Sequence, residues 1–159
     1  MEYKKNLIRR NRDIMNFVCK SFGELTTIEL YEILKARAEI FVVEQNCVYQ
    51  DLDDIDYRSF HFFYEEEGKI QAYLRVFEKD SSSRMVQIGR VLTVTHGKGL
   101  GGELLENAIS QIKSLMAPAS IYIEAQCYAV GFYEKKGFRI SSEEFLEDGI
   151  PHVQMLLEF

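Results

Sequence analysis

The sequence predicts one α/β domain, built on a mixed and mostly antiparallel sheet with helices on both faces. A strand-like run at residues 86–94 breaks into glycines, an amphipathic helix follows, and a second apolar run occupies residues 120–125. Two strands joined through a helix pair in parallel, whereas the hairpin signal around residues 66–69 predicts antiparallel pairing. A chain of 159 residues fits a single domain, which we assign to residues 13–159.

The N-terminal part of the chain predicts an arm, a strand and a helix. Residues 1–12 are charged and show no hydrophobic periodicity, so we expect a poorly ordered arm there. Residues 14–21 are typical of a first strand. Thr26 and Glu29 have the spacing of a capping box, which predicts a helix that starts at Thr26 and runs to about residue 43.

The next segment, residues 47–58, is polar and acidic. We expect a solvated loop, with a lip that faces a substrate as the alternative. A calcium loop is excluded, because an EF-hand needs glycine at its sixth position and glutamate at its twelfth. Counted from Asp51, those two positions hold Asp56 and Phe62.

The remaining elements follow from periodicity and turn chemistry. Residues 61–65 and 70–78 are the two strands of the predicted hairpin. Pro118 ends the helix that follows the glycines. A short helix over residues 129–136 ends at Gly137, in the position where a left-handed cap favours glycine. Two final strands are predicted, at residues 138–140 and 153–159.

Composition excludes several classes of function. The net charge of −6 and the lack of a basic stripe exclude a nucleic-acid partner, and no apolar run is long enough to span a membrane. Cys19, Cys47 and Cys127 are widely spaced and form no Cys-x-x-Cys motif, so neither a disulfide framework nor a metal site is predicted. The N-terminus lacks the apolar region of a signal peptide, and we expect a reducing cytoplasm.

The glycine-rich segment is the main functional signal. Glycines at positions 97, 99, 101 and 102 lie between a strand and a helix and leave backbone N–H groups uncovered. A helix N-terminus carries unpaired donors and a partial positive charge, so it binds anions. The sequence therefore predicts that a phosphate-bearing cofactor binds at residues 97–102.

Two general phosphate motifs can be compared with this segment. A Walker A loop is excluded, because Gly99 follows Lys98 where serine or threonine is required and the upstream glycine is missing. A dinucleotide fingerprint matches at Gly97, Gly99 and Gly102, with the acidic residue Glu124 about 20 residues further on. That second reading, a dinucleotide-binding protein, stays open as a remote alternative.

A third reading comes from a family resemblance. The segment His96-Gly97-Lys98-Gly99-Leu100-Gly101 resembles the Gln/Arg-x-x-Gly-x-Gly/Ala loop of the GNAT N-acetyltransferases, with His96 at the first position. Residues 129–138 resemble a second hallmark of that family, Ala-x-x-Phe-Tyr-x-x-x-Gly-Phe. Further segments, at residues 41–51, 88–91, 125–126 and 147–152, are similar to the ElaA-like branch. The resemblance extends over residues 26–155.

The resemblance implies the GNAT fold, in which the two parallel strands splay apart, and acetyl-CoA as the cofactor. The glycine loop would hold its pyrophosphate, and backbone N–H groups of the preceding strand, most often that of Leu92, would face the thioester. The cofactor-binding residues implied in this way are Val91, Leu92, Val94, His96, Gly97, Lys98, Gly99, Leu100, Gly101, Gln126, Phe132 and Tyr133.

The resemblance also implies catalytic roles. Tyr133 occupies the position of the general acid, and a phenol stays protonated at neutral pH. The general base must remove a proton from an alkylammonium, and the candidates are His61, His152 and Glu124, or a water molecule that one of them holds.

The expected function is N-acetyl transfer from acetyl-CoA to a primary amine of an unidentified small molecule or peptide. The alternative from a different class is a non-catalytic acyl-CoA-binding sensor or interaction domain. Tyr133 favours the enzyme. The oligomeric state is left open, with a homodimer among the states considered.

Overall fold

The computed structural model describes residues 15–159, so the predicted arm at residues 1–12 lies outside the described part. Its strands are β1 (Asn16–Ser21), β2 (Phe60–Glu66), β3 (Lys69–Asp80), β4 (Met85–Thr93), β5 (Ser120–Gln126), β6 (Arg139–Ile140), β7 (Phe145–Glu147) and β8 (Ile150–Glu158). Its α-helices are α1 (Thr27–Arg37), α2 (Leu100–Met116) and α3 (Val130–Glu134). Shorter helical turns cover Phe22–Glu24, Ile55–Arg58 and Cys127–Ala129, and a π-helical segment, Ala38–Glu44, continues α1.

All of these strands belong to one sheet, in the order β1-β2-β3-β4-β5-β8-β6, with β7 paired to β8. The pairing of β4 with β5 is parallel, and every other described pairing is antiparallel. The mixed, mostly antiparallel sheet is therefore confirmed.

Helices cover both faces of the sheet. Successive side chains of a strand point to opposite faces, so neighbouring residues such as Phe62 and Phe63 enter different cores. On one face α2 packs through Leu104, Leu105, Ala108 and Ile112, and Tyr133 of α3 joins the same cluster. On the other face α1 and its extension pack through Ile33, Ala36 and Ile40.

The parallel strands β4 and β5 separate within the sheet. They pair only at Met85–Ser120, Val86–Ile121 and Gln87–Tyr122. Beyond Gln87, the edge of β4 that faces β5 has no strand partner among the described residues. The register of β4 against β3 also shifts beside Arg90, whose φ is +55°, as in a β-bulge. The splay opens a gap in the middle of the sheet.

Local signals account for most element boundaries. Thr26 Oγ1 accepts from Glu29 N at 3.1 Å, and the Glu29 carboxylate accepts from Thr26 N at 2.8 Å, so the capping box is confirmed. Gly137 has φ +94°, as its position after α3 predicts. The sequence missed β7 and placed the start of the last strand three residues too late. None of the helices formed by residues 15–159 is long and apolar enough to cross a membrane.

Candidate active site

A cleft of about 780 Å³ opens where β4 and β5 separate. The glycine segment and the hairpin of β7 and β8 both contribute to its lining. The cleft is lined by most of the site residues that the sequence predicted: Val91, Leu92, His96, Gly97, Lys98, Gly99, Leu100, Gly101, Glu124, Gln126, Phe132, Tyr133 and His152. Two predicted residues, Val94 and His61, are not part of its lining.

The glycine segment is open towards the cleft. Gly97 and Gly99 have φ values of +81° and +70°, which glycine adopts without strain, and a Cβ added to either would meet no atom within 4 Å. Gly101 has a different role, because a Cβ there would lie 3.1 Å from Thr93 Cγ2. The first turn of α2 therefore packs directly on β4, and its N-terminus, with unpaired donors, faces the cleft.

The unpaired edge of β4 offers further backbone donors. Val94 N donates to Gln71 O on the β3 side at 3.0 Å. Because N–H groups alternate along a strand, that of Thr93 points into the gap and that of Leu92 points towards β3. The expectation that the Leu92 N–H faces the cleft is thus corrected in favour of Thr93, which lines the cleft and was missing from the prediction.

His96 links the glycine segment to the π-helical segment that follows α1. Its Nε2 lies 2.7 Å from Glu44 Oε1, and its Nδ1 lies 3.4 Å from Thr93 Oγ1. The contact between His96 and Glu44 is exposed to solvent. A second link crosses nearby, where Gln126 Nε2 donates to Gln45 Oε1 at 3.2 Å.

Tyr133 enters the cleft from the face that α2 and α3 cover. Its ring packs edge-on against Phe132 and Phe138, with centroids 5.0 and 5.9 Å away. Only 8% of the residue is exposed, and its hydroxyl has no hydrogen-bond partner among the described residues. Burial raises the pKa of the hydroxyl well above its usual range, and the nearby Tyr128 adds to that rise. The phenol therefore stays protonated and can donate to a group in the cleft.

The opposite face of the sheet contributes Glu124 and His152. Ile123 and Val153 belong to the core under α2, so alternation directs these two polar side chains to the α1 face. The Glu124 carboxylate accepts from the Tyr122 hydroxyl at 2.9 Å. His152 Nδ1 lies 2.7 Å from Ile150 O, so in the neutral ring Nδ1 donates to that carbonyl and Nε2 carries the lone pair.

His61 lies outside the cleft. It is 1% exposed, and its two ring nitrogens contact the Tyr73 hydroxyl at 2.7 Å and Asp56 O at 3.0 Å. Burial lowers its pKa, which keeps the ring neutral. Both nitrogens are engaged in structural bonds and His61 is not part of the cleft lining, so we assign His61 no role as base.

The acidic loop is only partly solvated, which corrects the expectation for residues 47–58: most of its residues are exposed, but Asp51 and Asp56 are buried. Three of its four aspartates pair with three arginines from α1, β3 and β4. Asp51 bonds Arg37 and Arg90, Asp53 bonds Arg75 and Arg90, and Asp56 bonds Arg37 and Arg75. This cluster, which we call the Asp–Arg network, fastens the loop over the bulge in β4. Two members of the network, Asp53 and Arg90, line the cleft. The loop also contributes Cys47, Tyr49 and Gln50 to the lining.

We expect the Asp–Arg network to make stability fall in acid. Burial alone would raise the pKa of Asp53, but the hydrogen bond and charge of Arg75 and the charge of Arg90 outweigh it and hold the pKa at about 2. Burial alone would also raise the pKa of Asp56. The hydrogen bonds and charges of Arg37 and Arg75 outweigh burial and lower that pKa. A carboxyl whose pKa is lower in the folded than in the unfolded protein stabilises the fold fully above its unfolded pKa, near 3.9. That contribution to the free energy of unfolding is lost as the pH falls towards the folded-state pKa. Urea titrations at pH 6, 4 and 3 should give a steadily smaller free energy of unfolding, and an unchanged value at pH 3 would contradict the network.

Two acidic residues of the cleft were missed by the sequence analysis. Glu147 and Asp148 lie at the end of the β7–β8 hairpin, whose turn residues Asp148 and Gly149 both have positive φ. Glu147 Oε2 lies 3.6 Å from His152 Nε2. Burial raises the pKa of Glu147, and the charge of Glu124 adds to the rise. The Glu-Asp-Gly signal of a hairpin turn was present in the sequence, but it does not say what the hairpin faces.

Comparison with known proteins identifies relatives along most of the chain. The family model described as an acetyltransferase (GNAT) domain matches residues 30–159. Protein ElaA of Escherichia coli K12 is 34% identical over 140 residues, which cover 86% of this chain and 92% of ElaA. A UPF0039 protein of Schizosaccharomyces pombe is 36% identical over 148 residues, or 91% of this chain and 97% of the relative.

Solved structures agree in fold. The crystal structure of E. coli ElaA matches with a TM-score of 0.85 at 31% identity, covering 91% of this chain and 99% of that one. The crystal structure of an acyl-CoA N-acyltransferase from Pseudomonas aeruginosa matches with a TM-score of 0.84 at 36% identity, covering 89% and 98%.

Proposed function

This chain belongs to the GNAT acetyltransferase family, and on that premise we propose that it transfers an acetyl group from acetyl-CoA directly to a primary amine in the cytoplasm. The family and the ElaA-like resemblance are shown by the match over residues 30–159 and by relatives at 34–36% identity. The choice of acetyl-CoA, of an amine acceptor and of the compartment is our inference.

The observation that carries the proposal is the fit of the cleft to a phosphate-bearing thioester. Gly97 and Gly99 leave a cradle that any Cβ would enter, at the N-terminus of a 17-residue helix. Lys98 lies between them and supplies a cation for the phosphates. The gap between β4 and β5 continues from this cradle, with the free N–H edge of β4 along its wall. A long, thin cofactor with its anion at one end suits this shape.

The reaction forms one C–N bond and breaks one C–S bond. Bound acetyl-CoA supplies the acetyl group as a thioester, and the thiol of CoA leaves. An alkylammonium with a pKa near 10.4 must first lose a proton, for which Glu124 and His152 Nε2, alone or through a water molecule, are the remaining candidates. The Thr93 N–H would stabilise negative charge on the carbonyl oxygen. Tyr133 would give its proton to the departing sulfur and regain one from the second amine proton, and the proton taken by the base would be released to solvent.

Calorimetry tests the cofactor before any acceptor is known. We expect acetyl-CoA to bind and NADH to show no heat of binding, and NADH binding alone would contradict the proposal in favour of a dinucleotide protein. Release of free thiol in the presence of a panel of amines then separates an enzyme from an acyl-CoA sensor. Binding of acetyl-CoA with no thiol release above the rate without amine would favour the sensor.

Replacing Gly99 with valine should abolish most of the affinity for acetyl-CoA. A valine side chain would enter the cradle and would also be strained at φ +70°. The matched control is Gly68→Val, because Gly68 has φ +76° in the turn between β2 and β3, away from the cleft.

Both variants should lose stability to a similar extent, by about 1–2 kcal/mol in urea titrations. Only Gly99→Val should lose cofactor binding in calorimetry. Should the two variants bind acetyl-CoA equally well, the glycine segment is not the phosphate site.

A further inference from the structure

We propose that the acceptor is an amine with a second cationic group, a diamine or polyamine, bound by Glu124, Glu147 and Asp148. The inference deepens the proposed acetyl transfer and rests on it. All three carboxylates line the cleft. They come from β5 and from the β7–β8 hairpin, which meet across β8.

The three carboxylates differ from Asp53, the other acidic residue of the cleft lining, in having no lysine or arginine partner among the described residues. Asp53 also lines the cleft, but Arg75 and Arg90 neutralise it. Within residues 15–159, no lysine or arginine lies within 4 Å of Glu124, Glu147 or Asp148. The protein therefore pairs the aspartates that support the wall and leaves these three carboxylates open to the cleft.

Two buried polar side chains point to a ligand at the same place. Tyr133 is 8% exposed as a residue, and its hydroxyl, which has no partner among the described residues, is accessible from the cleft. His152 is 7% exposed, and its Nε2 has only the 3.6 Å contact with Glu147. These two groups lie on opposite faces of the splayed sheet and both line the cleft. A bound amine between them would give a hydrogen-bond partner to the Tyr133 hydroxyl and to His152 Nε2.

The charge of the cleft favours two cationic groups over one. Of its cations, Arg90 is occupied by Asp51 and Asp53, and Lys98 belongs to the glycine segment. The acceptor side therefore carries three carboxylates and no free cation among the described residues. The raised pKa of Glu147, which burial causes and Glu124 increases, fits a place where a positive charge is missing. The charges of His152 and Arg90 oppose this rise, each more weakly than Glu124 increases it.

The same arrangement disfavours other amines. The amine that reacts must lose its charge before attack, so a monoamine leaves every carboxylate uncompensated at that moment. A second ammonium group stays charged and keeps its ion pair throughout the reaction. An acceptor with its own carboxylate, such as an amino acid, would bring like charges together in a partly desolvated cleft.

Three probes of equal chain length test this inference by calorimetry on the CoA-saturated protein. They are 1,5-diaminopentane, 1-aminopentane and 5-aminopentanoate, which differ only in the charge of the far end. We expect the diamine to bind at least tenfold more tightly than the monoamine, and 5-aminopentanoate to bind more weakly than either. Equal affinities of the diamine and the monoamine would overturn the inference.

Substitution of the carboxylates provides the second arm. Glu147→Gln should weaken diamine binding about ten- to a hundredfold, the usual range for a lost charge-assisted hydrogen bond, and should leave monoamine binding less affected. Glu143→Gln makes the same change at an exposed residue outside the cleft lining and should change neither. Glu124→Gln should repeat the loss, and thermal melting identifies any variant that fails to fold. Unchanged diamine affinity in both folded variants would contradict the assignment.

The outcomes also separate this inference from the proposed function. If CoA itself does not bind, acetyl transfer fails and the inference fails with it. If CoA binds and amines release thiol without preference for the diamine, acetyl transfer stands and only the acceptor class is wrong.

Discussion

Replacing Tyr133 with phenylalanine is expected to lower kcat by about 10²–10⁴-fold, the usual contribution of a general acid. The substitution removes one oxygen and keeps the ring, so the edge-on packing against Phe132 and Phe138 should persist. Affinity for acetyl-CoA should change little, because the hydroxyl acts mainly on the departing sulfur. A loss of kcat without a loss of ground-state binding marks an interaction made in the transition state.

The measurement is thiol release with 1,5-diaminopentane, or with any amine that the parent protein acetylates, beside calorimetry with acetyl-CoA. Tyr64→Phe is the matched control, since Tyr64 is a buried tyrosine of the same core and is not part of the cleft lining. Its hydroxyl accepts from Asn107 at 2.6 Å, so that variant should lose some stability and no turnover. Full turnover in Tyr133→Phe would make Tyr133 a packing residue and leave protonation to water.

Replacing Asp56 with asparagine is expected to destabilise the fold by about 3 kcal/mol. Asp56 accepts from Arg37 at 2.7 Å and from Arg75 at 2.9 Å, and both arginines are at most 2% exposed. Removing one partner of a buried ion pair costs about 3–5 kcal/mol, because the other charge stays buried. We expect the lower end of that range, since Arg37 keeps Asp51 and Arg75 keeps Asp53.

Urea titration at pH 7 measures this loss, and Asp54→Asn is the control. Asp54 is exposed, takes part in no salt bridge with the described residues and has φ +65°, which asparagine tolerates. The control should stay within about 0.5 kcal/mol of the parent. A loss below 1 kcal/mol in Asp56→Asn would mean that water reaches the Asp–Arg network and screens it.

Features of the fold that depend on neighbouring residues follow from the amino-acid sequence alone. The capping box of Thr26 and Glu29 sets the start of α1 through two bonds between residues three apart. Gly97 and Gly99 determine the turn into α2, because their positive φ values are strained for other residues. The strand–loop–helix–strand order determines that β4 and β5 are parallel neighbours. Each of these predictions rests on local sterics or on periodicity, which a sequence displays directly.

Which polar residues contact one another depends on the tertiary structure. The acidic loop was expected to be solvated because its composition is polar, yet three of its four aspartates pair with arginines 14 to 39 residues away. His61 and His152 are equally plausible bases by residue type. The fold buries His61 against Tyr73 and brings His152 to the cleft beside Glu147. Composition gives a side chain its chemistry, but its pKa, its partner and its access to the cleft depend on contacts between distant segments.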